Sequence, residues 1–349
     1  MTLCGKSRAN RGLKIGPPPA ILVISCRSGR YVKQLTRGLG ALFSRFVSGA
    51  SSLRALLVRA IDYAGMFPPC SLALEPALKN QAEYVRSADS WMLSTFVLPV
   101  AKFAEAAQLV SQFDRQHPLR LSALGAKTEN AKDFFTELKN AAETIRSFQK
   151  EHVDPAPVVQ LEMFLPQDVD LAKLSEAAVL LGDLKLQTFW ETPAESAEKA
   201  IALIARAKQP AFGYKLRTGG VTADAFPSSI QITRAILAST KQHVPIKFTA
   251  GLHHPIRKFR DEVKTEMHGF LNVLGAGVLS AEHHWDEAQT IEMLEDERNR
   301  SFEFHDTVFA WREWEITLDR IKARRKFVTS FGSCSFDEPR EDLRALGVF

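Results

Sequence analysis

The stretch AFGYKLRTGGVTADAFPSSIQITRAILASTKQHVPIKFTA, residues 211–250, holds two short β-rich segments separated by an amphipathic helical pattern. The β-rich segments are Ala211–Arg217 and Pro245–Ala250, and the helical pattern covers Ser228–Lys241. A strand, a helix and a second strand in this order predict a right-handed βαβ unit in a parallel sheet. The stretch therefore places the chain in the α/β class.

The same alternation continues on both sides of this stretch, from residue 53 to about residue 298. The eight predicted strands are Leu56–Ala64, Trp91–Val97, Leu119–Leu124, Val158–Leu165, Leu184–Glu191, Ala211–Arg217, Pro245–Ala250 and Met267–Leu274. The helices predicted between them are Glu75–Ser87, Ala101–Phe113, Asn130–Glu151, Asp168–Leu181, Pro193–Lys208, Ser228–Lys241 and Ile256–Glu266. Eight such repeats predict a closed (β/α)8 TIM barrel over residues 53–298. A doubly wound open sheet is the alternative, but no GxGxxG follows the first strand.

The segments outside the barrel form two further predicted regions. Residues 1–52 are predicted to be a basic, disordered leader, with an organelle transit peptide as the alternative. Residues 299–349 are predicted to form a C-terminal extension packed on the barrel. Within it, Phe302–Lys326 is interpreted as a helix carrying Trp311 and Trp314, and a short helix is expected near Glu338–Leu346.

The formal charge of +5 is unevenly distributed along the chain. Residues 1–61 contain eleven Lys and Arg and no acid, so the remaining residues hold 34 basic and 40 acidic side chains. The main body is therefore acidic, and we expect neither a nucleic-acid nor a membrane partner, although a homo-oligomer is possible. The four cysteines have no CxxC or metal-ligand spacing, which favours a reducing, cytoplasmic location.

The alternation of side chains along each barrel strand predicts which residues point into the barrel. Apolar residues such as Phe212 and Tyr214 are expected to face the helices, which turns their neighbours inward. The ionisable residues assigned to the interior in this way are Glu162, Glu191, Lys215, Arg217, Lys247 and His268, with Asp62 at the end of the first strand. Thr249 and Asn272 share the inward parity of their strands. The sequence therefore predicts a ring of charged side chains at the C-terminal end of the barrel, where active sites of this fold lie.

Two lysines on neighbouring strands suggest a specific chemistry. One ammonium is expected to lower the pKa of the other by like-charge repulsion, which leaves a neutral amine able to form a Schiff base with a carbonyl. The alternative is that pairs such as Glu191 with Lys215 are salt bridges that only close the barrel mouth.

Two short motifs resemble those of deoxyribose-phosphate aldolases. Lys215-Leu-Arg-Thr-Gly219 is similar to the Lys-Thr-Ser-Thr-Gly strand of that family, and Lys247-Phe-Thr-Ala-Gly251 to its lysine-bearing seventh strand. The resemblance implies that Lys215 forms the imine and that Lys247 tunes it. Arg217 replaces a small residue of the family, and Glu162 stands where the family has an aspartate.

The chain also resembles an uncharacterised bacterial TIM-barrel family that shares three stretches with it. The stretches are Ile-Asp-Tyr-Ala-Gly (61–65), Arg-Thr-Gly-Gly (217–220) and Ala-Gly-Leu-His-His (250–254). This second resemblance implies no particular activity.

The loops after the sixth and seventh strands are candidates for substrate binding. Arg217, Thr218, Gly219 and Gly220 combine a guanidinium with exposed backbone amides, a pattern that is typical of phosphate or carboxylate binding. His253 is a candidate general acid or base. The Gly332–Ser335 turn is a candidate cover for the mouth, and Cys334 is interpreted as a packing residue rather than a nucleophile.

These patterns together predict an enzyme with a small oxygenated, anionic substrate. The first hypothesis is an aldolase-type carbon–carbon lyase that acts through a lysine Schiff base and needs no cofactor. The second is an Mg²⁺- or Mn²⁺-dependent lyase or isomerase that works through an enolate, with Glu162 and Glu191 as metal ligands. The third is a barrel protein that binds a small anion without turnover.

Overall fold

The computed structural model describes residues 50–349. The predicted leader, residues 1–52, lies outside the described residues except for its last three positions. Ser51 begins the first described helix, and the Ser52 amide donates to the His305 carbonyl at 3.2 Å.

Eight parallel strands close into a barrel, which confirms the predicted (β/α)8 TIM-barrel fold. The barrel strands are β1 (Ile61–Tyr63), β2 (Leu93–Pro99), β3 (Leu121–Leu124), β4 (Val158–Phe164), β5 (Gln187–Glu191), β6 (Phe212–Arg217), β7 (Ile246–Thr249) and β13 (Val328–Ser333). Each strand pairs with the next along the chain, and β13 closes the barrel between β7 and β1.

Helices cover the outside of the barrel and connect its strands. They are α1 (Ser51–Leu57), α2 (Leu74–Tyr84), α3 (Phe103–Ala107), α4 (Ala131–His152), α5 (Leu171–Leu181), α6 (Ala197–Ala207), α7 (Ser229–Gln242), α8 (Phe270–His283), α9 (Glu287–Leu294), α10 (Leu318–Arg324) and α11 (Asp337–Ala345). Several begin at side-chain caps: Asn130 and Asp170 accept from backbone amides, and Ser228 forms a capping box with Gln231.

Aromatic packing between strands and helices fixes the direction of the barrel side chains. Trp190 of β5 packs edge-on against Phe212 of β6 and at a tilt against Phe134 of α4, so it faces the helical layer. Alternation then turns its neighbour Glu191 to the barrel interior. On β6, the buried Tyr214 likewise leaves Lys215 pointing inward.

The eighth barrel strand is not the predicted segment Met267–Leu274. Met267 ends the short strand β9 (Thr265–Met267), and Phe270 begins the buried helix α8. The prediction failed because α8 is apolar on all sides, so its sequence lacks helical periodicity and is consistent with a buried strand. The predicted helix Ile256–Glu266 is also wrong, because β8 (Lys258–Arg260) and β9 form an antiparallel hairpin there.

The predicted boundary between the barrel and a C-terminal extension is corrected as well. β13 lies within residues 299–349, so the barrel extends beyond residue 298 and this region supplies its closing strand. The predicted helix Phe302–Lys326 is instead a three-stranded antiparallel sheet of β10 (Phe302–Phe304), β11 (Val308–Trp311) and β12 (Trp314–Thr317), followed by α10. Trp311 and Trp314 face each other across a tight turn. Their spacing of three residues also fits one face of a helix, which is why the sequence suggested a helix here. The short terminal helix is present as α11.

Candidate active site

Five strands bring charged side chains together inside the barrel. Asp62 comes from β1, Glu162 from β4, Glu191 from β5, Lys215 from β6 and Lys247 from β7. All are buried except Glu191, whose side chain is 20 % exposed. We refer to these five residues as the charged ring. Enclosed charges are stable only when they are paired, so the contacts among them decide what the ring can do.

Lys247 lies at the inner, fully enclosed side of the charged ring. Its Nζ lies 2.8 Å from Asp62 Oδ2 and 2.6 Å from Glu162 Oε1, and it donates to Gln160 Oε1 at 2.9 Å. An ammonium has three N–H donors, and three acceptors surround this one. Lys247 is therefore held in place with no donor left for a substrate.

Lys215 lies at the outer side of the charged ring. Its Nζ is 2.8 Å from Glu162 Oε2 and 2.8 Å from Glu191 Oε2. The two carboxylates use two of its three donors, and Lys215 also lines a cavity of about 420 Å³ that opens at this end of the barrel. Glu162 and Glu191 line the same cavity, whereas Asp62 and Lys247 do not.

Hydroxyl groups on the remaining strands hold the carboxylates in position. Thr95 of β2 and Ser330 of β13 donate to the two oxygens of Asp62, each at 2.6 Å. Ser122 of β3 donates to Glu162 Oε1 at 2.6 Å. Each strand of the barrel thus contributes a polar side chain to one connected network, which satisfies the buried charges.

Both lysines of the charged ring are ammonium ions in this arrangement. Burial by itself lowers the pKa of Lys215, but Glu162 and Glu191 outweigh it and raise that pKa above its ordinary value. The pKa of Lys247 is also raised, because Asp62 and Glu162 outweigh its burial. The pKa of Glu162 is lowered, because the two ammoniums outweigh the effect of burial. The expected lowering of one lysine's pKa by the other is therefore wrong for this state, since a carboxylate lies between them.

The walls of the cavity carry further positive charge. Arg217 and Lys127 line it, and Lys127 Nζ lies 4.8 Å from the centre of the Phe164 ring. The Arg217 Nε donates to the Gly219 carbonyl at 3.1 Å, which leaves the terminal nitrogens of the guanidinium for an anion. Thr249 and Gly220 line the same cavity.

Close backbone packing explains the glycines beside these residues. A Cβ on Gly219 would lie 2.8 Å from the Gly251 Cα, and Gly251 has a φ of +75°. The loops after β6 and β7 therefore touch backbone to backbone, which requires glycine at both positions. The Thr218 hydroxyl donates to the Ala250 carbonyl at 2.7 Å in the same contact. Thr218 and Gly219 thus join the two loops and do not line the cavity.

The terminal helix α11 holds the histidine pair that follows β7. His253 lines the cavity, and its Nδ1 lies 3.2 Å from Glu338 Oε2. His254 Nδ1 lies 2.6 Å from Asp342 Oδ2. The pKa of Glu338 is lowered, chiefly by its hydrogen bond with His253. A carboxylate on Nδ1 leaves Nε2 of His253 to exchange a proton with a ligand.

Two predicted site residues lie elsewhere. His268 precedes α8, and its Nε2 lies 2.9 Å from the Pro227 carbonyl. Asn272 lies within α8, where its side chain binds the Arg257 amide and the carbonyls of Met293 and Asp296. Both predictions depended on the wrongly assigned eighth strand, and Ser330 of β13 occupies the inward position there.

The alternative metal site is not formed by its proposed ligands. Glu162 and Glu191 both bind the Lys215 ammonium, which lies between them. Among residues 50–349 there is no group of three or more His, Cys, Asp or Glu side chains arranged to hold a metal ion. The carboxylates of the charged ring therefore fit an ammonium better than a divalent cation.

Some parts of the site were not identified from the sequence. Lys127, Glu338 and Ser330 come from segments that the strand pattern did not bring to the barrel mouth. The proximity of Cys70 to Cys334 was also missed, because 264 positions separate them. Recognising β13 as the closing strand would have placed Ser330 and Cys334.

No protein-family model and no curated protein matches the chain. Among solved structures, malate synthase of Haloferax volcanii is 12% identical, with 83% of this chain and 80% of that chain covered and a TM-score of 0.40. A putative deoxyribose-phosphate aldolase of Toxoplasma gondii is 9% identical, with 88% and 94% covered and a TM-score of 0.37. A TatD homologue of Escherichia coli is 14% identical, with 68% and 95% covered and a TM-score of 0.34. Similarity at this level is limited to the fold and indicates no reaction. In the described part of the chain, no helix combines the length and apolarity needed to cross a membrane.

Proposed function

We propose that this protein is an aldolase-type carbon–carbon lyase that binds a small anionic carbonyl compound and forms an imine with Lys215. The observation that carries the proposal is the asymmetry of the two lysines. Lys247 is enclosed by three acceptors, whereas Lys215 lines the cavity and touches two carboxylates. A nucleophilic amine must reach its substrate, and only Lys215 of this pair does so.

The first step is the loss of a proton from the Lys215 ammonium. Glu191 lies 2.8 Å from Nζ and is the partly exposed partner, so it is the natural acceptor. A substrate that fills the cavity excludes water and makes the separated charges of this pair less favourable than a neutral amine beside a neutral acid. Glu162 keeps its contact with Lys247 and remains ionised.

The neutral amine then attacks the carbonyl carbon, and the loss of water gives a protonated imine. The iminium accepts the electron pair of the bond between its α- and β-carbons and becomes an enamine, while a base removes the proton of the β-hydroxyl and that fragment leaves as a carbonyl compound. Protonation of the enamine and hydrolysis of the resulting imine release the second fragment and restore Lys215. His253 lines the cavity and has Glu338 on its Nδ1, which suits it to this proton transfer. Arg217 and Lys127 supply the positive charge for the anionic group of the substrate.

A second candidate follows from the raised pKa of Lys215. An ammonium that stays charged stabilises an enolate through its electric field and can return a proton to it, without a covalent bond to the substrate. The reaction would then be an enolate-based lyase or isomerase reaction, with the same residues in the cavity.

Reductive trapping distinguishes these two candidates. The full chain is incubated with small aldehydes, ketones and keto acids, with and without phosphate groups, then reduced with borohydride and mapped by peptide mass spectrometry. We expect an adduct on Lys215, its loss in Lys215→Arg, and its persistence in Lys127→Arg, a matched change of a lysine on the same cavity. A compound that is turned over without any adduct would reject the imine and favour the enolate reaction.

A further inference from the structure

Two cysteines meet at the mouth of the cavity. Cys70 lies in the loop after β1, and Cys334 directly follows β13. The two strands are parallel neighbours, with Asp62 opposite Gly332 in their register, so the chain segments that leave them run side by side. Their Sγ atoms lie 3.0 Å apart. The close contact is therefore a consequence of barrel closure.

The backbone on both sides of the pair is held by hydrogen bonds. The amide of Ala64 donates to the Ser333 carbonyl at 2.8 Å, which joins the two segments directly. Within the loop after β1, the Ser71 amide donates to the Phe67 carbonyl at 3.0 Å, and the Leu72 amide to the Gly65 carbonyl at 2.9 Å. The two sulfurs are thus positioned by the fold. A disulfide has an S–S bond of about 2.05 Å, so about 1 Å of closure completes it.

The two thiols differ in access to solvent. Cys70 is exposed, whereas Cys334 is 5% exposed and lines the cavity. Burial, together with the nearby Cys70, raises the pKa of Cys334 to about 12. The exposed thiol is therefore the one that an oxidant in solution meets first, and the buried one acts second.

We propose that Cys70 and Cys334 form an oxidation site, at which a peroxide or a small-molecule disulfide converts the two thiols to a disulfide. With hydrogen peroxide, the Cys70 sulfur takes one peroxide oxygen to become a sulfenic acid, and water leaves. The Cys334 sulfur then attacks Cys70 Sγ, a second water leaves, and the S–S bond forms. The two thiols lose two electrons and two protons in total, and one peroxide is reduced to two waters.

A histidine and a carboxylate lie beside the buried thiol. His253 Nδ1 lies 3.8 Å from Cys334 Sγ, and the same nitrogen is 3.2 Å from Glu338 Oε2. Because Glu338 is ionised, Nδ1 carries the proton between them, and this N–H stabilises negative charge on the Cys334 sulfur while the thiol proton leaves with the Cys70 hydroxyl as water.

The disulfide would connect two sides of the cavity rim without touching the charged ring. Phe67, Pro68 and Pro69 line the cavity on the β1 side, and Gly332 and Cys334 line it on the β13 side. A covalent bond between these segments closes a long loop and restricts the opening of the rim.

The test treats the full chain with hydrogen peroxide or with oxidised glutathione, blocks the remaining thiols by alkylation, and maps the peptides without reduction. We expect a Cys70–Cys334 peptide that is lighter by two hydrogens than the two separate peptides, and a higher melting temperature that reducing agent reverses. The background variant C4S/C26S removes the other two cysteines and should give the same cross-link.

Single variants make the order of events testable. In Cys334→Ser the exposed Cys70 should accumulate as a mixed disulfide with glutathione, because its resolving partner is missing. In Cys70→Ser the buried Cys334 should stay unmodified. If oxidation of the folded chain leaves Cys70 and Cys334 both open to alkylation, or joins either of them to Cys4 or Cys26 instead, the proposal is overturned.

Discussion

The inner and outer sides of the charged ring contain the same residue types in different surroundings. On the inner side, Lys247 is enclosed by Asp62, Glu162 and Gln160, and hydroxyls from neighbouring strands complete the hydrogen bonds. On the outer side, Lys215 has two partners and lines the cavity. Fully paired charges give a rigid support, whereas a charge with one side open to a cavity can react. Access to the cavity and the number of hydrogen-bond partners, more than residue type, therefore separate a structural lysine from a candidate catalytic one.

The largest expected effect tests the structural role of the inner side. Lys247→Met leaves Asp62 and Glu162 without the ammonium between them, and removing one partner of a buried ion pair costs about 3–5 kcal/mol. Lys215→Met should cost less, because Glu162 keeps Lys247 and Glu191 is partly exposed. Urea unfolding of both variants measures the two losses, and equal losses would remove the distinction between the two sides.

The next prediction concerns the proton acceptor on the outer side. Glu191→Gln preserves the size of the side chain but cannot take the proton from Lys215, so imine formation should slow by about 10²–10⁴-fold. This rate is measured by rapid mixing with a carbonyl compound that gives the Lys215 adduct, followed by timed borohydride quenching. Glu195→Gln, on the short turn after β5, is a matched control that should leave it unchanged. A normal rate in Glu191→Gln would assign the proton to another group.

A smaller effect is expected from the hydroxyls that support Asp62. Ser330→Ala removes one hydrogen bond to a buried carboxylate, which costs about 1.5–3 kcal/mol. Ser335→Ala, two positions beyond β13 and hydrogen-bonded to the Glu338 amide, offers a nearby control without contact to the ring. Thermal unfolding should show a lower melting temperature for Ser330→Ala. Borohydride trapping in the same variant should still modify Lys215. A change of trapping site would indicate that Ser330 acts on the outer side.

Stability should depend on pH through Glu162, the carboxylate that contacts both Lys215 and Lys247. The pKa of Glu162 is lowered in the folded chain from an ordinary value of 4.5, so its contribution is present above pH 4.5 and is lost as pH falls through the folded-state pKa. The raised pKa values of Lys215 and Lys247 act at the other end, since their contribution is complete below pH 10.5 and is lost as pH rises through their folded-state values. Melting temperatures across the acid range, compared between wild type and Glu162→Gln, measure the first effect. If the melting temperature falls equally steeply with decreasing pH in both proteins, groups other than Glu162 cause the acid dependence.

The sequence predicted the parts of this comparison that depend on strand periodicity. Apolar residues such as Tyr214 identified the outward faces of the strands, and alternation then turned Glu191 and Lys215 inward. Side-chain direction is a local property, so it can be inferred from a few residues.

The parts that depend on long-range pairing could not be predicted in this way. Residues 250–327 form a hairpin, two helices, a three-stranded sheet and a further helix between β7 and β13, and the fully buried α8 was mistaken for the closing strand. That error turned His268 and Asn272 into the barrel interior and missed Ser330, which binds Asp62 there. The protonation state of Lys215 could not be predicted from the alternation of side chains either. It depends on the distances from Nζ to Glu162 and Glu191, and alternation gives directions only.

The most direct test of the imine role of Lys215 is a crystal structure of the protein after it has been soaked with a carbonyl compound that gives the adduct and reduced with borohydride. Continuous electron density should run from the substrate carbon to Lys215 Nζ, with Lys247 still bound between Asp62 and Glu162. Density joined to Lys247, or a ligand bound in the cavity beside an unmodified Lys215, would contradict the role of Lys215 as the imine-forming residue.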